Sequence, residues 1–329
     1  MTPRAAADAL KSWARELGFD AAGVATLEPS AHGEAFRGWL ARGEHAGMSY
    51  MERRVEERLA PATLLEGAKT ALCVALRYAP LADEEEPAGD LWPRVARYAR
   101  GRDYHEVMER RLDLLARRVE ETFPGARTRR YVDTGPVLER ELAARAGIGV
   151  VGKNTMLLER EMGSWFLLGE LLTTIDLAPD EPLADLCGGC TLCLDACPTG
   201  ALVEPYRLDS NRCISYWTIE HRGPIPEPMQ PQLDDWVFGC DACQEVCPWN
   251  RRRHALGPAT HDEMRLPAER RELDLAGLLG LSREEYVERF RGSPMKRAKL
   301  EGLQRNAAIA LANRRSGEAA AATAPIPVE

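Results

Sequence analysis

The stretch that decides the architecture is CGGCTLCLDACP, residues 187–198, together with the shorter run CDACQEVCP, residues 240–248. The first run spaces its cysteines as C-x2-C-x2-C-x3-C-P. This pattern is typical of [4Fe–4S] ligation, in which the cysteine before proline reaches a second cluster. Two such clusters need eight thiolates, and the chain has nine cysteines. Because Cys73 lies far upstream of the others, eight remain for the clusters.

The second run is one ligand short, and Cys213 fills that gap. The pattern predicts one cluster held by Cys187, Cys190, Cys193 and Cys247, and another held by Cys197, Cys213, Cys240 and Cys243. Zinc sites or disulfides are the alternatives. Zinc sites use paired C-x2-C units and close at four ligands, so the first run fits a cubane better than zinc.

Length and composition predict a globular protein of two domains with room for a small third, because 329 residues with 45% hydrophobic content can bury a sizeable core. No stretch resembles a signal peptide, a twin-arginine leader or a membrane span, so we expect a cytoplasmic protein. The net charge of −8 argues against indiscriminate nucleic-acid binding. Basic residues do gather at Arg251–Arg253 and between Arg291 and Arg315, although charge alone favours a solvated helix face for both.

Hydrophobic periodicity predicts the main elements before the cysteines. We expect helices at 3–17 and 105–123, and a further helix that Pro136 begins and that ends near Gly147. Strands are expected at 21–26, 69–78, 129–132, 156–159 and 165–174, with Cys73 as a small buried hydrophobe. An acidic loop is expected at 82–90, and mostly helix from Leu266 onward. The expected domains are residues 1–180, a cluster domain at 181–253, a helical segment at 254–316 and a disordered tail at 317–329.

Two overlapping glycine motifs near residue 150 resemble nucleotide-binding sequences. The run GIGVVG at residues 147–152 fits G-x-G-x-x-G, and with Lys153 it approaches a P-loop. Both motifs need a preceding strand and a following helix, whereas this run follows a helix and precedes a strand. We therefore interpret it as a helix exit whose backbone lies close to other protein or to a large cofactor.

Several polar positions upstream and downstream of the cysteines are candidates for a reaction centre: Arg58, the Tyr104–His105 pair, Asp133, Lys153 and the segment CISYWTIEHRG that begins at Cys213. A surface or capping role is the alternative for each. Asp133 follows a predicted strand in YVDTG, a common place for a catalytic carboxylate, but an aspartate that caps the next helix is a serious rival. The residues alone predict a two-cluster reductase with an unidentified second cofactor.

The motifs resemble those of one family, the epoxyqueuosine reductases of tRNA modification, over nearly the whole chain to about residue 315. The resemblance rests on RLAPATLLEGAKT (58–70), YARGRDYH (98–105), YVDTGPVLERELAARAGIGVVGKNT (131–155), GSWFLLGELL (163–172), the cysteine runs, RCISYWTIEHRGPIP (212–226) and RGSPMKRAKLEGLQRNAAIALAN (291–313). It implies reduction of epoxyqueuosine to queuosine at the tRNA wobble position, the last step of queuosine synthesis. The reductant implied is cob(I)alamin, fed by two [4Fe–4S] clusters.

The resemblance also implies an α+β fold. A nitroreductase-like α/β sandwich would bind cobalamin, and a bacterial-type two-[4Fe–4S] ferredoxin domain and a short helical C-terminus would follow it. The implied proton donor is Asp133, since a carboxylic acid beside the corrin can supply the proton if burial raises its pKa. The implied cobalamin contacts are Arg58, Asp133, Leu157, Leu168, Ser215 and Thr218. The implied tRNA contacts are His221, Arg222, Lys296 and Arg297.

The implied partners are a queuosine-type tRNA and an external electron donor of unknown identity, with no membrane, for a protein that acts as a monomer. Many family members continue into HEAT-like repeats, whereas this chain stops soon after RNAAIALAN, so we expect tRNA contacts from such repeats to be reduced or absent. Two other functions stay open. One is a reductive dehalogenase of small molecules, a class that typically carries a twin-arginine leader. The other is an electron-transfer protein without a substrate site.

Overall fold

The computed structural model describes residues 1–78, 93–251, 261–267, 270 and 274–323, with the backbone alone for residues 317–323. The predicted loop at 82–90 lies outside the described residues, as do Arg252 and Arg253. The helices are α1 (Pro3–Glu16), α2 (Gly33–Ala41), α3 (Val55–Leu59), α4 (Tyr104–Thr122), α5 (Glu139–Arg145), α6 (Leu192–Asp195), α7 (Ala242–Glu245), α8 (Pro248–Arg251), α9 (Leu275–Gly280), α10 (Arg283–Arg289) and α11 (Lys299–Thr323). The strands are β1 (Ala21–Thr26), β2 (Thr70–Arg77), β3 (Arg94–Val95), β4 (Thr128–Tyr131), β5 (Val150–Val151), β6 (Leu157–Leu158), β7 (Phe166–Thr173), β8 (Leu202–Glu204), β9 (Arg207–Leu208) and β10 (Trp236–Phe238).

A four-stranded antiparallel sheet, in the order β1-β2-β7-β4, forms the centre of the N-terminal part. Side chains alternate between the two faces of a strand. In β2, Leu72 and Val74 pack into the core that contains α1 and α4, whereas Ala71 and Cys73 pack into the core that contains α5. Both faces are covered, which explains the nearly continuous apolar run of β2 and confirms the α/β sandwich of the predicted α+β fold.

The strongest helix signals of the sequence correspond to helices of the structure. Helix α4 buries Met108, Leu112, Leu115 and Val119 on one face and begins after Asp103, whose side chain accepts a hydrogen bond from the backbone of His105. Helix α1 begins after Thr2, which caps it in the same way. Cys73 is fully buried, and burial raises the pKa of its thiol. The prediction of a small buried hydrophobe at this position is confirmed.

The expected start of α5 at Pro136 is wrong. The helix begins at Glu139, its N-cap position is Leu138, and no side chain caps it. The chain instead forms a loop from Val132 to Leu138, because the backbone N–H of Asp133 donates to Glu139 Oε1 at 2.6 Å and folds the segment back on itself. Asp133 therefore does not cap α5, and the capping role weighed for it does not apply.

The glycines of GIGVVG lie against the chain's own backbone. A Cβ atom on Gly147 would stand 2.5 Å from the carbonyl oxygen of Glu181, and one on Gly149 would stand 2.5 Å from that of Leu158. Gly147 also has a φ of +70° at the exit of α5, a conformation that glycine adopts without strain. Close packing within the protein accounts for these two glycines.

The C-terminal helices share a core with two earlier segments. Buried side chains of α9, α10 and α11 pack against Val95, Ala99, Val237 and Phe238, and β10 pairs in parallel with β3. The backbone of α11 is helical to Thr323, which differs from the tail predicted to be disordered from Gly317. The alanines at 319–322 explain the difference, since alanine has the highest helix propensity. Across the part of the chain that the structure describes, helices long and apolar enough to cross a membrane are absent.

Candidate active site and cluster sites

The first predicted set of cluster ligands lines a single cavity. Cys187, Cys190, Cys193 and Cys247 surround a space of about 210 Å³, together with apolar neighbours that include Leu186 and Trp249. These are the four cysteines that the spacing assigns to one cubane. Three come from the C-x2-C-x2-C run and the fourth arrives from more than fifty residues later, which is the crossed pattern of two-cluster domains.

The second set also gathers in one place. Burial raises the pKa of the Cys243 thiol well above its ordinary value, and the nearby thiols of Cys240, Cys213 and Cys197 raise it further. In the same way, the Cys197 thiol raises the pKa of Cys213, and the Cys213 thiol raises the pKa of Cys240. This mutual influence shows that the four thiols lie near one another, including that of Cys213, which stands outside both runs.

The spacing of the thiols fits clusters better than single zinc ions. In the ranges that the structure describes, which contain all nine cysteines, no three His, Cys, Asp or Glu side chains converge tightly enough to hold one metal ion. A cubane carries its four irons at separate corners, so its thiolates stand further apart than the ligands of a tetrahedral zinc. The cysteines are also unpaired, which excludes disulfides in this structure.

The loop around the first set is held by charged side chains. Asp185 accepts hydrogen bonds from the backbone N–H groups of Cys187 and Gly188, at 3.0 and 2.9 Å. Lys153 Nζ donates to the carbonyl oxygens of Gly188 and Cys190, at 2.7 and 3.0 Å. Lys153, a candidate from the sequence, thus joins the N-terminal sandwich to the cluster loop instead of lying in a reaction centre.

The segment after Cys213 leads away from the second set. The hydroxyl and backbone N–H of Ser215 donate to the Cys213 thiol, which favours its ionised form although burial raises its pKa overall. A π-helix, Tyr216–Glu220, follows at once. Such helices are rare and occur often at functional sites. It ends at Glu220, whose carboxylate binds the Arg297 guanidinium through two hydrogen bonds of 2.9 Å.

Asp133 has an unusual backbone conformation. Its φ is +54°, in the left-handed region, and its N–H is held by Glu139 Oε1. Gly135, two residues on, packs so closely on the Tyr131 ring that a Cβ atom would lie 2.2 Å from it. The Asp133 side chain is 57% exposed, yet protein atoms surround it on several sides, so it lies in an open recess. Left-handed non-glycine residues often mark functional sites.

A histidine bridges two aspartates beside this recess. His105 Nδ1 lies 2.7 Å from Asp103 Oδ1, and its Nε2 lies 3.3 Å from Asp133 Oδ2. Burial disfavours the charged imidazole, but hydrogen bonds to both aspartates prevail and raise the pKa of His105 to about 9. The Tyr104 ring stacks on His105, with centroids 4.1 Å apart. The sequence candidate pair Tyr104–His105 thus belongs to the site of Asp133.

The condition that burial raise the pKa of Asp133 is not met. Burial does favour its neutral form, but the hydrogen bond with His105 and the charge of that imidazole outweigh burial and lower the pKa of Asp133. Asp133 is therefore ionised at neutral pH while His105 carries the proton. The pKa of Asp133 is lowered by His105, which lies 28 residues away in the chain. A strand-exit motif does not reveal such a partner.

Arg58 lies under the Asp133 loop. Its Nη1 donates to the carbonyl oxygen of Gly135 at 3.3 Å, and its side chain is partly buried. Its Nε is buried and finds no hydrogen-bond acceptor among the residues described. A buried donor without an acceptor is costly. This unsatisfied N–H fits a polar group of a ligand that would lie against the loop.

Other positions implied as cobalamin contacts expose little surface. Thr218 is fully buried, and its hydroxyl donates to Ile214 O at 2.8 Å and accepts from Gly239 N at 2.9 Å. A side chain with both bonds satisfied inside the protein has no role left toward a ligand, so the contact assigned to Thr218 is not supported. Leu157 is also buried, whereas Leu168 is partly exposed on β7. Ser215 contacts a cluster ligand.

The residues implied as tRNA contacts gather near the mouth of the recess. Arg222 donates to the carbonyl oxygens of Ile219 and Arg297, at 2.8 and 2.7 Å. The ring of His221 lies 4.5 Å from that of Trp217, centroid to centroid. Arg297 is exposed and close enough to Asp133 to lower its pKa. Lys296 is next to it, in the short helix Pro294–Ala298.

Sequence reasoning missed two carboxylates behind Asp133, Glu139 and Glu170. Glu139 bonds the Asp133 backbone, and Glu170 is fully buried in β7. A signal for Glu170 was present, because a single charged residue interrupts the apolar run FLLGELL (166–172). A buried charge in such a run is costly unless it has a partner or a function.

Comparisons with known proteins agree with this geometry. Residues 58–134 match the family model described as epoxyqueuosine reductase QueG, DUF1730. Residues 186–250 match the 4Fe-4S double cluster binding domain. The epoxyqueuosine reductase of Pseudomonas aeruginosa is 41% identical over 94% of this chain and 86% of its own length. That of Gloeobacter violaceus is 43% identical over 94% of this chain and 97% of its own.

Solved structures resemble the chain over nearly its whole length. The epoxyqueuosine reductase of Bacillus subtilis, seen with its catalytic aspartate loop swung out of the active site, gives a TM-score of 0.85 at 33% identity. The match covers 95% of this chain and 82% of that one. An epoxyqueuosine reductase with an epoxyqueuosine-modified stem loop of tyrosine tRNA gives 0.83 at 35% identity, with the same coverage.

Proposed function

The chain belongs to the epoxyqueuosine reductase family, and we propose that it reduces epoxyqueuosine to queuosine at the wobble position of tRNA, the last step of queuosine synthesis. The observation that carries this proposal is the hydrogen-bonded pair of His105 and Asp133 in an open recess. The π-helix that begins three residues after Cys213 ends beside that recess. The site therefore combines an electron route with a proton donor, which is what an oxidoreductase acting on an epoxide requires.

The proposed reaction consumes two electrons and two protons. The epoxide loses its oxygen as water, and a carbon–carbon double bond forms between the two ring carbons. The family match supports two [4Fe–4S] clusters as the electron carriers, in the two cysteine sets described above. Cobalamin, when bound, supplies a strong nucleophile for the strained epoxide carbon. Arg58, with its unsatisfied Nε, and partly exposed Leu168 are the residues that would hold it.

Asp133 is proposed as the group that hands a proton to the substrate oxygen. The pKa of about 9 keeps His105 protonated at neutral pH, and its Nε2 lies 3.3 Å from the Asp133 carboxylate. As the epoxide oxygen gains negative charge, the proton passes from the imidazolium to Asp133 and on to that oxygen. Asp103 keeps the imidazole oriented through its bond to Nδ1, at 2.7 Å. Positioned acids of this kind typically accelerate reactions by about 10²–10⁴-fold.

The tRNA is proposed to reach the recess across a basic rim formed by His221, Arg222, Lys296 and Arg297. Arg222 and Arg297 are joined by a hydrogen bond, and Arg297 acts electrostatically on Asp133. This rim would contact phosphates while the modified base enters the recess. We further propose a monomer that works in the cytoplasm, where its tRNA substrate is found, with electrons from an external donor.

A direct assay tests the function. Purified protein is reconstituted with iron, sulfide and cobalamin, reduced chemically, and incubated with an anticodon stem-loop that carries epoxyqueuosine. Mass spectrometry of the nucleosides should show loss of one oxygen and conversion to queuosine. Failure to convert the stem-loop, with reduction of a small halogenated aromatic instead, would favour the dehalogenase alternative. Failure to bind either corrinoid or stem-loop would favour a simple electron carrier.

A further inference from the structure

The strand β7 contains a buried carboxyl group that the proposed mechanism has not used. Glu170 is fully buried in the middle of the sheet, on the face that packs under α5. Its neighbours on that face of β7, Leu168 and Leu172, belong to the same apolar core. The strands on either side present Cys73 and Tyr131 opposite it. A carboxylate in such a place must lose its charge or find a partner.

No donor satisfies Glu170. Both of its carboxyl oxygens lack a hydrogen-bond donor among the residues that the structure describes. The carboxyl of Glu139, the first residue of α5, acts on Glu170, and α5 packs against β7. Two carboxyl groups can form a hydrogen bond to each other only when one of them carries a proton. Neighbouring like charges in a buried site also disfavour joint ionisation, as in the aspartic proteases.

We propose that Glu139 and Glu170 share one proton at neutral pH, and that this carboxyl pair is the second proton source of the active site. The proposal rests on the proposed function, because reduction of an epoxide to an alkene and water consumes two protons. Asp133 and His105 hold the first. The pair would hold the second, directly behind the Asp133 loop.

The position of Glu139 connects the pair to the reaction. Its Oε1 accepts the Asp133 N–H at 2.6 Å, so the carboxyl pair and the proton-donating loop are in contact. Glu139 is partly exposed and Glu170 lies deeper, which gives the pair one end toward the recess. Burial and the Asp133 charge raise the pKa of Glu139 to about 7, while burial and Glu139 raise the pKa of Glu170 well above its ordinary value.

The positive groups around the pair each donate a hydrogen bond elsewhere. The ionisable side chains that act on the pair, or on its direct neighbours, are Asp133, Cys73, Tyr104, Tyr131, Arg58, Arg140 and Arg145. Arg58 attracts ionised Glu139, but its Nη1 donates to the carbonyl oxygen of Gly135. Asp133 is negative and disfavours ionisation of the pair, and the thiol of Cys73 is kept neutral by burial. Arg140 favours ionised Glu139 but donates its hydrogen bond to the carbonyl oxygen of Thr155. A shared proton is therefore the main means of neutralising the two carboxyls.

The two protons are delivered in two steps. The first proton moves from His105 through Asp133 to the epoxide oxygen as one carbon–oxygen bond breaks. The second proton moves from the pair to the Asp133 carboxylate, which has already passed on the first. From there it moves to the hydroxyl oxygen of the opened ring. That hydroxyl then leaves as water when the second carbon–oxygen bond breaks and the alkene forms. The two electrons arrive through the clusters, and solvent reprotonates the pair and His105 between turnovers.

Infrared spectroscopy tests the shared proton without any turnover. A protonated carboxyl group absorbs apart from ionised carboxylates, so wild-type protein with its clusters in place should show such a band at pH 7. Glu170→Gln should remove it, and Glu139→Gln should shift its frequency, because buried Glu170 keeps its proton but loses its carboxyl partner. Glu109→Gln, which removes a glutamate paired with Arg130 at the surface, should leave it unchanged. A wild-type spectrum without this band, or a band that both variants of the pair leave unchanged, would overturn the proposal.

Single-turnover kinetics tests the proton supply. In wild-type protein the proton supply should persist above neutral pH, because burial and Glu139 raise the pKa of Glu170 well above its ordinary value, and the rate should fall only when Glu170 loses its proton. Glu170→Gln should slow conversion about 10²-fold at pH 7 and move that fall to lower pH, since Glu139 then ionises more easily. If Glu170→Gln loses the infrared band but keeps the wild-type rate and pH profile, the carboxyl pair is not the proton source. Because the spectrum does not need substrate, a wild-type protein inactive on epoxyqueuosine would instead count against the proposed function.

Discussion

Asp133 combines an unfavourable backbone with a charged side chain. A non-glycine residue in the left-handed region costs about 1–3 kcal/mol, less for aspartate than for most residues. Here its φ is +54°, and the hydrogen bond from its N–H to Glu139 holds it there. The conformation turns the carboxylate into the recess, where His105 reaches it. A relative seen with this loop swung out shows that the conformation is not fixed in that protein.

The first prediction concerns Asp133→Asn. Asparagine tolerates the left-handed region as aspartate does, so the variant should fold and hold both clusters. It cannot relay a carboxyl proton, so single-turnover conversion should slow by about 10²–10⁴-fold. Asp234→Asn is the control, because Asp234 also has a positive φ, of 52°, and lies at an exposed turn. Normal conversion by Asp133→Asn under excess reductant would exclude it as the proton donor.

The second prediction concerns stability against pH at His105. Its pKa is raised from 6.5 to about 9, so the folded state binds the proton more tightly than the unfolded state. This stabilisation is complete below pH about 6.5 and is lost as pH rises through about 9. Urea titrations should show wild-type unfolding free energy falling across this window more steeply than that of His105→Gln. Parallel curves for the two proteins would mean that folding does not raise the pKa of His105.

The π-helix is the element that joins the clusters to the recess. It starts beside Cys213, a predicted ligand that belongs to neither cysteine run, and ends at Glu220 beside Arg297. π-helices are rare and are frequent at functional sites, which agrees with the position of this one between Cys213 and the recess. Thr218 at its centre, fully hydrogen-bonded and buried, anchors it to the body of the protein.

The third prediction tests the ligand at the start of this element. Cys213→Ala should lower the iron content of reconstituted protein by about half, because the second cluster loses one of four thiolates. Cys73→Ala is the matched control. It also removes a buried cysteine, but one that faces the apolar core under α5, so iron content should be unchanged. Full iron content in Cys213→Ala would show that the crossed assignment of ligands is wrong.

The fourth prediction concerns the basic rim. Binding of an anticodon stem-loop should weaken steeply with salt, because phosphate contacts release counterions. Reversing charge with Lys296→Glu and Arg297→Glu should weaken binding and reduce that salt dependence. Arg118→Glu is the control, since Arg118 lies about 20 Å along α4 from His105, where it pairs with Glu16. Salt-insensitive binding, or equal effects of control and rim variants, would remove the rim from the RNA interface.

At the scale of the whole molecule, buried polar contacts fix the cluster region on the sandwich. Ser164 N donates to Asn250 Oδ1 at 2.7 Å, its hydroxyl donates to Gln244 Oε1 at 2.8 Å, and Asn250 Nδ2 donates to Gln244 O at 2.7 Å. The same contact requires glycine at position 163, because a Cβ atom on Gly163 would lie 2.0 Å from Asn250 Oδ1. Electron transfer to the recess needs such a fixed orientation.

The fifth prediction follows from this network. Asn250→Ala leaves the buried Ser164 N–H without an acceptor, so it should lower the unfolding free energy by about 1–3 kcal/mol. Gln232→Ala is the control, because Gln232 makes one exposed hydrogen bond, to Pro228 O. Chemical denaturation of the reconstituted proteins provides the comparison. Equal stability of the two variants would mean that the network does not hold the cluster region in place.

The sequence by itself determined the two-cluster domain, the apolar strand β2 and the helix α4, and it predicted which cysteines hold each cluster. Thiolate count and spacing are local properties that cluster chemistry constrains directly, and hydrophobic periodicity reports burial one element at a time. Only the tertiary structure decided the protonation of the site. Asp133 owes its lowered pKa to His105, and Glu170 owes its shared proton to Glu139, 31 positions earlier on another element. A pKa depends on the charges, hydrogen bonds and burial around a group in space, which spacing along the chain does not report.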